Sequence, residues 1–203
     1  MFDRFFANAE VSSQGHIWST AAYVTNYGEK IVPSGYAGKH ADMDGEESDE
    51  PERGFLWTLA KREGVSFRDY GEMVKGNPGW PVTQRDLGTN VNPDYVPMDF
   101  VTPDQKRADV WISEPQRYVR DSNMPQLEVM WLPMDHLAAG RPGKCTPRAC
   151  MADNDLALGR IRCAEIQTLR QMCCCSILRI LFIQVLRGDA QSHAALHALQ
   201  SSK

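Results

Sequence analysis

Two short runs hold the residue types best suited to chemistry: Ser12-Ser13-Gln14-Gly15-His16 and Asp135-His136. A serine at a strand-to-helix turn meets free backbone N–H groups and the positive end of a helix dipole. That setting favours an anion such as phosphate. Such a serine becomes a nucleophile when a base or a metal lowers its hydroxyl pKa. Ser12 and Ser13 also suit plain helix caps, a common use of serine. His16 suits either contact with a phosphate at the helix start or a partly buried place in the first turn. Asp135 and His136 pair a carboxylate with an imidazole, a donor set for a borderline metal or for hydrogen bonds to a phosphoryl oxygen. The alternative is a surface turn capped by Asp135.

These runs need elements to hold them. Residues 2–8 (FDRFFAN) read as a strand and residues 15–27 as a helix with Ile17, Ala21 and Val24 on one face, placing Ser12 and Ser13 at the intervening turn. The acidic stretch 33–53 reads as a solvated loop. A helix over 52–63 follows, with Phe55, Leu56, Leu59 and Ala60 on one side and Gly64 as its stop. Val65–Tyr70 alternates like a strand. Residues 75–104, with five prolines, read as a surface excursion. Residues 105–120 read as one helix. Residues 126–132 (QLEVMWL) form the clearest strand, with Leu127, Val129 and Trp131 on one face. It ends at Pro133, so Asp135 and His136 sit at a strand's carboxyl end, where open α/β sheets bind ligands. Thr146 and Pro147 then supply an N-cap and a first-turn proline for another helix. Asp153 and Asp155 in that helix read as solvent-facing carboxylates, and the five tryptophans as packing residues. The unit Gly54 to Gly71, a helix, a glycine stop and a strand, is a building block of α/β sheets.

Composition narrows the class. Hydrophobic residues are 42% and charged ones 24%, ordinary for a globular domain, and a net charge of −4 gives no footing for nucleic acid or an anionic membrane surface. Met1 runs straight into Phe-Asp-Arg-Phe-Phe without a signal-peptide pattern, which leaves the compartment open. The apolar run Ile177–Leu186 is too short to span a bilayer. Cys145 and Cys150 are too sparse for a disulfide scaffold, and Cys173-Cys174-Cys175 lack zinc-site spacing. Residues 162–203 differ in kind. They hold Arg162, Arg170, Arg179, Arg187 and Lys203 against only Glu165 and Asp189, and four of the six cysteines. Between 164 and 187 an apolar helix could offer Ile177, Leu178, Leu181, Phe182 and Val185 to a partner.

Three ordered segments carry a resemblance. FDRFFANAEVSSQGHIWSTAAYVTNYGEK, then GFLWTLAKREGVSFRDYGE, then LEVMWLPMDHLAAGRPGKCTPRACMADNDLALGRI resemble bacterial phosphoesterases of the phospholipase C and acid phosphatase type, closest to members attached to β-propellers. In the third segment an LP-x-DH-x-x-G turn precedes a helix carrying ADND-x-ALG. The likeness covers residues 2–161.

The resemblance implies an alkaline-phosphatase-like core, a mostly parallel sheet between helices. It implies hydrolysis of a phosphate ester with a divalent metal ion (zinc, manganese, magnesium or calcium). Ser12 matches the nucleophile position, Ser13 and His16 would hold the substrate phosphate, and Asp135 and His136 would face metal and phosphate, with His136 also catalytic. The family's opening metal-binding motif, ahead of the first segment, has no counterpart, nor have its later acidic metal-binding turn and the His-containing segment beyond it. The chain is therefore expected to be a partial phosphoesterase domain over 1–161, incomplete at both ends, followed by a divergent helical or disordered tail over 162–203. Relatives are often exported. A non-catalytic remnant and an interaction module are the alternatives.

Overall fold

The computed structural model describes residues 12–30, 50–74, 82, 84–99, 101–140, 142–171 and 179–182. The expected strand at 2–8, most of the acidic loop, Trp80 and the stretch beyond 182 lie outside them. The chain divides into two compact units, one formed by Met1–Leu56 with Val185–Lys203, the other by Trp57–Gln184.

In the first unit, helix α1 spans Ser12–Ala21, so it begins three residues before the expected start. It stops where Ala22 takes a left-handed φ of 65°. Residues 26–30 are helical again. The Thr25 side chain explains the restart: its Oγ1 accepts from the Gly28 N–H at 2.9 Å, an N-cap bond. The single helix expected over 15–27 is thus two pieces. Gln14 Nε2 donates to Glu29 Oε2 at 2.8 Å and ties them together.

The second unit has a small parallel sheet flanked by helices, so the α/β reading holds at that level. Helix α2 (Leu56–Arg62) leads into strand β1 (Phe67–Tyr70). Gly64 ends α2 as expected: at φ +67° it lets Val65 N–H reach Ala60 O at 2.8 Å and its own N–H reach Lys61 O at 3.3 Å. That is the paired-bond helix stop that favours glycine. The buried side keeps Phe55 and Ala60 from the expected set and differs at Trp57 and Leu59. Trp57 and Ala60 are inside while Leu59 is exposed, because the Trp57 indole N–H donates to Arg85 O at 3.1 Å.

Helix α3 (Asp104–Ser113) and helix α4 (Pro115–Asp121) replace the single helix expected over 105–120. Pro115 is the cause, since it has no N–H and its ring crowds the carbonyl a turn earlier. Strand β2 (Leu127–Met130) pairs parallel with β1, Tyr70 opposite Met130. Arg179–Phe182 forms strand β3, parallel to β2, so part of the expected tail helix is a strand. The β-branched and aromatic run Ile180-Leu181-Phe182 suits a strand. Glu128, Val129 and Met130 are all buried, unlike the alternating face expected of β2. A central parallel strand covered on both faces has no solvent side.

Helix α5 (Pro147–Gln171) runs without interruption through residues 161 and 162. Its start is the expected one: Thr146 Oγ1 accepts from the Ala149 N–H at 3.3 Å. Cys145 and Cys150 are joined by a disulfide with Cα atoms 5.6 Å apart, a local staple across that first turn. The core gathers Tyr70, Tyr95, Ala108, Trp111, Met130, Leu132, Ala157 and Ile161. Tyr95 was expected on a surface excursion. It is buried instead, its hydroxyl donating to Trp131 O at 2.7 Å, while Asn92 N–H reaches Asp69 O at 2.9 Å. No helix among the described residues is long and apolar enough to cross a membrane.

Candidate functional site

The carboxyl ends of β1 and β2 lie side by side, and each leads into charged residues. After Met130 the chain stays buried through Trp131, Leu132, Pro133 and Met134, then enters a 3₁₀ helix over Pro133–Gly140. Asp135 and His136 lie in its first turn. This is not the exposed turn considered above: the His136 side chain is 5% accessible and that of Asp135 7%. His136 Nδ1 lies 3.1 Å from Pro133 O and 3.0 Å from Asp135 Oδ1. Both partners are acceptors, so Nδ1 carries the hydrogen and donates. Trp131 packs against the imidazole edge-on, centroids 6.0 Å apart.

Beneath the turn sits a buried polar brace. Asp104 Oδ2 accepts from the Met134 N–H at 3.1 Å and from Asn154 Nδ2 at 2.9 Å. Asn154 Nδ2 also donates to Leu132 O at 2.9 Å. Burial pushes the Asp104 carboxyl up to about 6, against the opposing hydrogen bond from Asn154 and the charge of Arg107. Asp153, expected to face solvent, has its Oδ2 2.6 Å from the Asp104 N–H and so caps α3. The ADND run thus serves the architecture directly.

The β1 edge holds two carboxylates that the sequence reading passed over as part of a strand and its end. Asp69 and Glu72 are fully buried. Asp69 Oδ1 accepts from the Gly71 N–H at 2.9 Å, while its Oδ2 has no hydrogen-bond partner among the described residues. Burial, then the charge of Glu72, push the Asp69 carboxyl well above its ordinary value. The available signal was a charged residue inside the aromatic strand Phe67-Arg68-Asp69-Tyr70, immediately before Gly71-Glu72.

The other expected site residues fall in the first unit. Ser12 and Ser13 open α1, and His16 is buried farther along it. The His16 carbonyl accepts from the hydroxyls of Ser19 at 2.9 Å and Thr20 at 2.6 Å. The structure brings Asp135 and His136 together, and separately groups Ser12, Ser13 and His16 on one helix.

Catalytic zinc sites draw on three protein ligands. Among the described residues no three His, Cys, Asp or Glu side chains converge in that way. In Asp135 and His136, Nδ1 and a carboxylate oxygen are engaged with each other. The pair alone does not make a metal centre. Comparison with family models, with curated proteins and with solved structures gives no match to this chain.

Proposed function

We propose that this chain is a phosphoesterase-type domain with an alkaline-phosphatase-like core that hydrolyses a phosphate ester at the carboxyl edge of its parallel sheet. The observation that carries the reading is the buried His136. Its Nδ1 is held by Pro133 O and Asp135 directly after a parallel strand. A carboxylate on one ring nitrogen fixes the tautomer and strengthens the other as a base, which suits moving a proton at Nε2. The resemblance of the three segments adds Ser12 as the attacking group, with Ser13 and His16 on the phosphate. It also implies a divalent ion. The described residues do not make its site, so the chemistry assigned to them is limited to holding and moving protons and binding phosphate.

The resemblance also leaves a second reading, a non-catalytic domain of the same class. The full chain with an aryl phosphate separates the two, with zinc, manganese, magnesium or calcium added in turn. Ion-dependent release of the phenol, lost in Ser12→Ala and His136→Ala, supports catalysis. Release no faster than in those variants leaves the non-catalytic reading.

A further inference from the structure

We infer that Asn154 and Asp104 are positioning residues for His136, gripping the chain on either side of Pro133. The strand-end turn has backbone groups that leave the sheet ladder at Leu132 and Met134. Both are caught by one relay. Asn154 has two amide hydrogens, and both are placed: one on Leu132 O at 2.9 Å, the other on Asp104 Oδ2 at 2.9 Å. The same Asp104 oxygen accepts from the Met134 N–H at 3.1 Å. Between the two gripped residues stands Pro133, whose carbonyl accepts from His136 Nδ1 at 3.1 Å. A shift of residues 132–134 therefore moves the acceptor that orients the imidazole.

The relay is itself immobilised. Asp104, Asn154 and Met134 are buried. Arg107, with a fully buried side chain, donates to Asp104 Oδ1 at 3.1 Å, and Asp153 caps the Asp104 N–H from α5. The relay thus joins α3, α5 and the turn in one network, where losing a single donor leaves a buried acceptor unsatisfied. An aspartate at 154 would match asparagine in shape and lack both donors, which separates donation from packing.

The inference rests on the proposed function only in giving His136 a substrate to act on; the positioning itself is read without turnover. The full chain labelled with ¹⁵N-histidine is examined by long-range ¹H–¹⁵N spectra, with His136 assigned through His136→Gln. The expected wild-type ring is the Nδ1–H tautomer. Asn154→Ala and Asn154→Asp are both expected to shift its nitrogens toward a mixed tautomer, while the His16 signals stay in place. Unchanged His136 nitrogens in folded Asn154 variants overturn the inference. If both variants lose their far-ultraviolet circular dichroism, Asp104→Asn carries the same test: it keeps the shape, but the Arg107 cation draws its one carbonyl oxygen to the Oδ1 position and leaves an amide donor facing Met134 N–H and Asn154, so the grip is lost. An unchanged tautomer there overturns it equally. In the aryl phosphate assay the Asn154 variants are expected to lower kcat at least tenfold with KM little changed. A wild-type chain without turnover but with the tautomer shift removes the proposed function and leaves the positioning standing.

Discussion

Tyr70 has one hydroxyl hydrogen and two carboxylate neighbours, Glu114 Oε2 at 2.7 Å and Glu128 Oε1 at 3.3 Å. The shorter contact takes the hydrogen. The longer one gives Glu128 little compensation for its burial, while its Oε2 accepts from the Trp111 indole at 3.4 Å. Burial pushes this carboxyl up to about 7, and the charges of Glu114 and Glu165 add to the rise. A folded value above the ordinary one means the folded chain keeps a proton that the unfolded chain has released. Stability from this group is therefore present in acid and lost as pH rises from the ordinary glutamate range through about 7. Glu128→Gln, which mimics the neutral acid, is expected to flatten the fall of the thermal midpoint between pH 5 and pH 8. An unaltered slope would show that Glu128 is ionised in the fold. Asp69 obeys the same sign. Asp69→Asn keeps an acceptor for the Gly71 N–H and removes a buried charge beside Glu72. Its midpoint at pH 8 is expected above that of the wild type; a lower one would mean the charge has a stabilising partner.

At the scale of elements, local signals were legible and long-range ones were not. Gly64, the Thr146 cap, β1 and β2 were readable because each depends on a few neighbouring residues. The break at Pro115 was also local, but it was passed over inside the single helix expected over 105–120. The burial of Tyr95 was not readable, because it depends on a bond to Trp131, 36 residues away. The inward turn of Trp57 likewise depends on Arg85, 28 residues away. Gly64 gives a clean element-level prediction. A methyl group there meets no atom within 4 Å, so only the left-handed backbone is penalised. Gly64→Ala is expected to lose about 1–2 kcal/mol in denaturant unfolding, and Gly64→Asn less, since asparagine tolerates that conformation. Equal losses would point to a packing defect instead.

For the whole molecule, the site was legible in parts. Asp135 and His136 were found from their place after a strand, and their burial and mutual hydrogen bond give that place physical content. Asn154 and Asp153 were noticed as a motif or as helix carboxylates, but their partners lie some 50 residues away on α3, beyond what spacing can show. Asp69 and Glu72 were hidden because a charged residue in a short strand looks like its solvent face. Ser12, Ser13 and His16 belong to the other compact unit, so their part in a shared site rests on the phosphoesterase resemblance. The measurement that bears most directly on that claim is hydrolysis of an aryl phosphate by the full chain across added divalent ions. The account predicts ion-dependent turnover that disappears in both Ser12→Ala and His136→Ala. Turnover at the same rate in the wild type and both variants, or none above buffer, would contradict it.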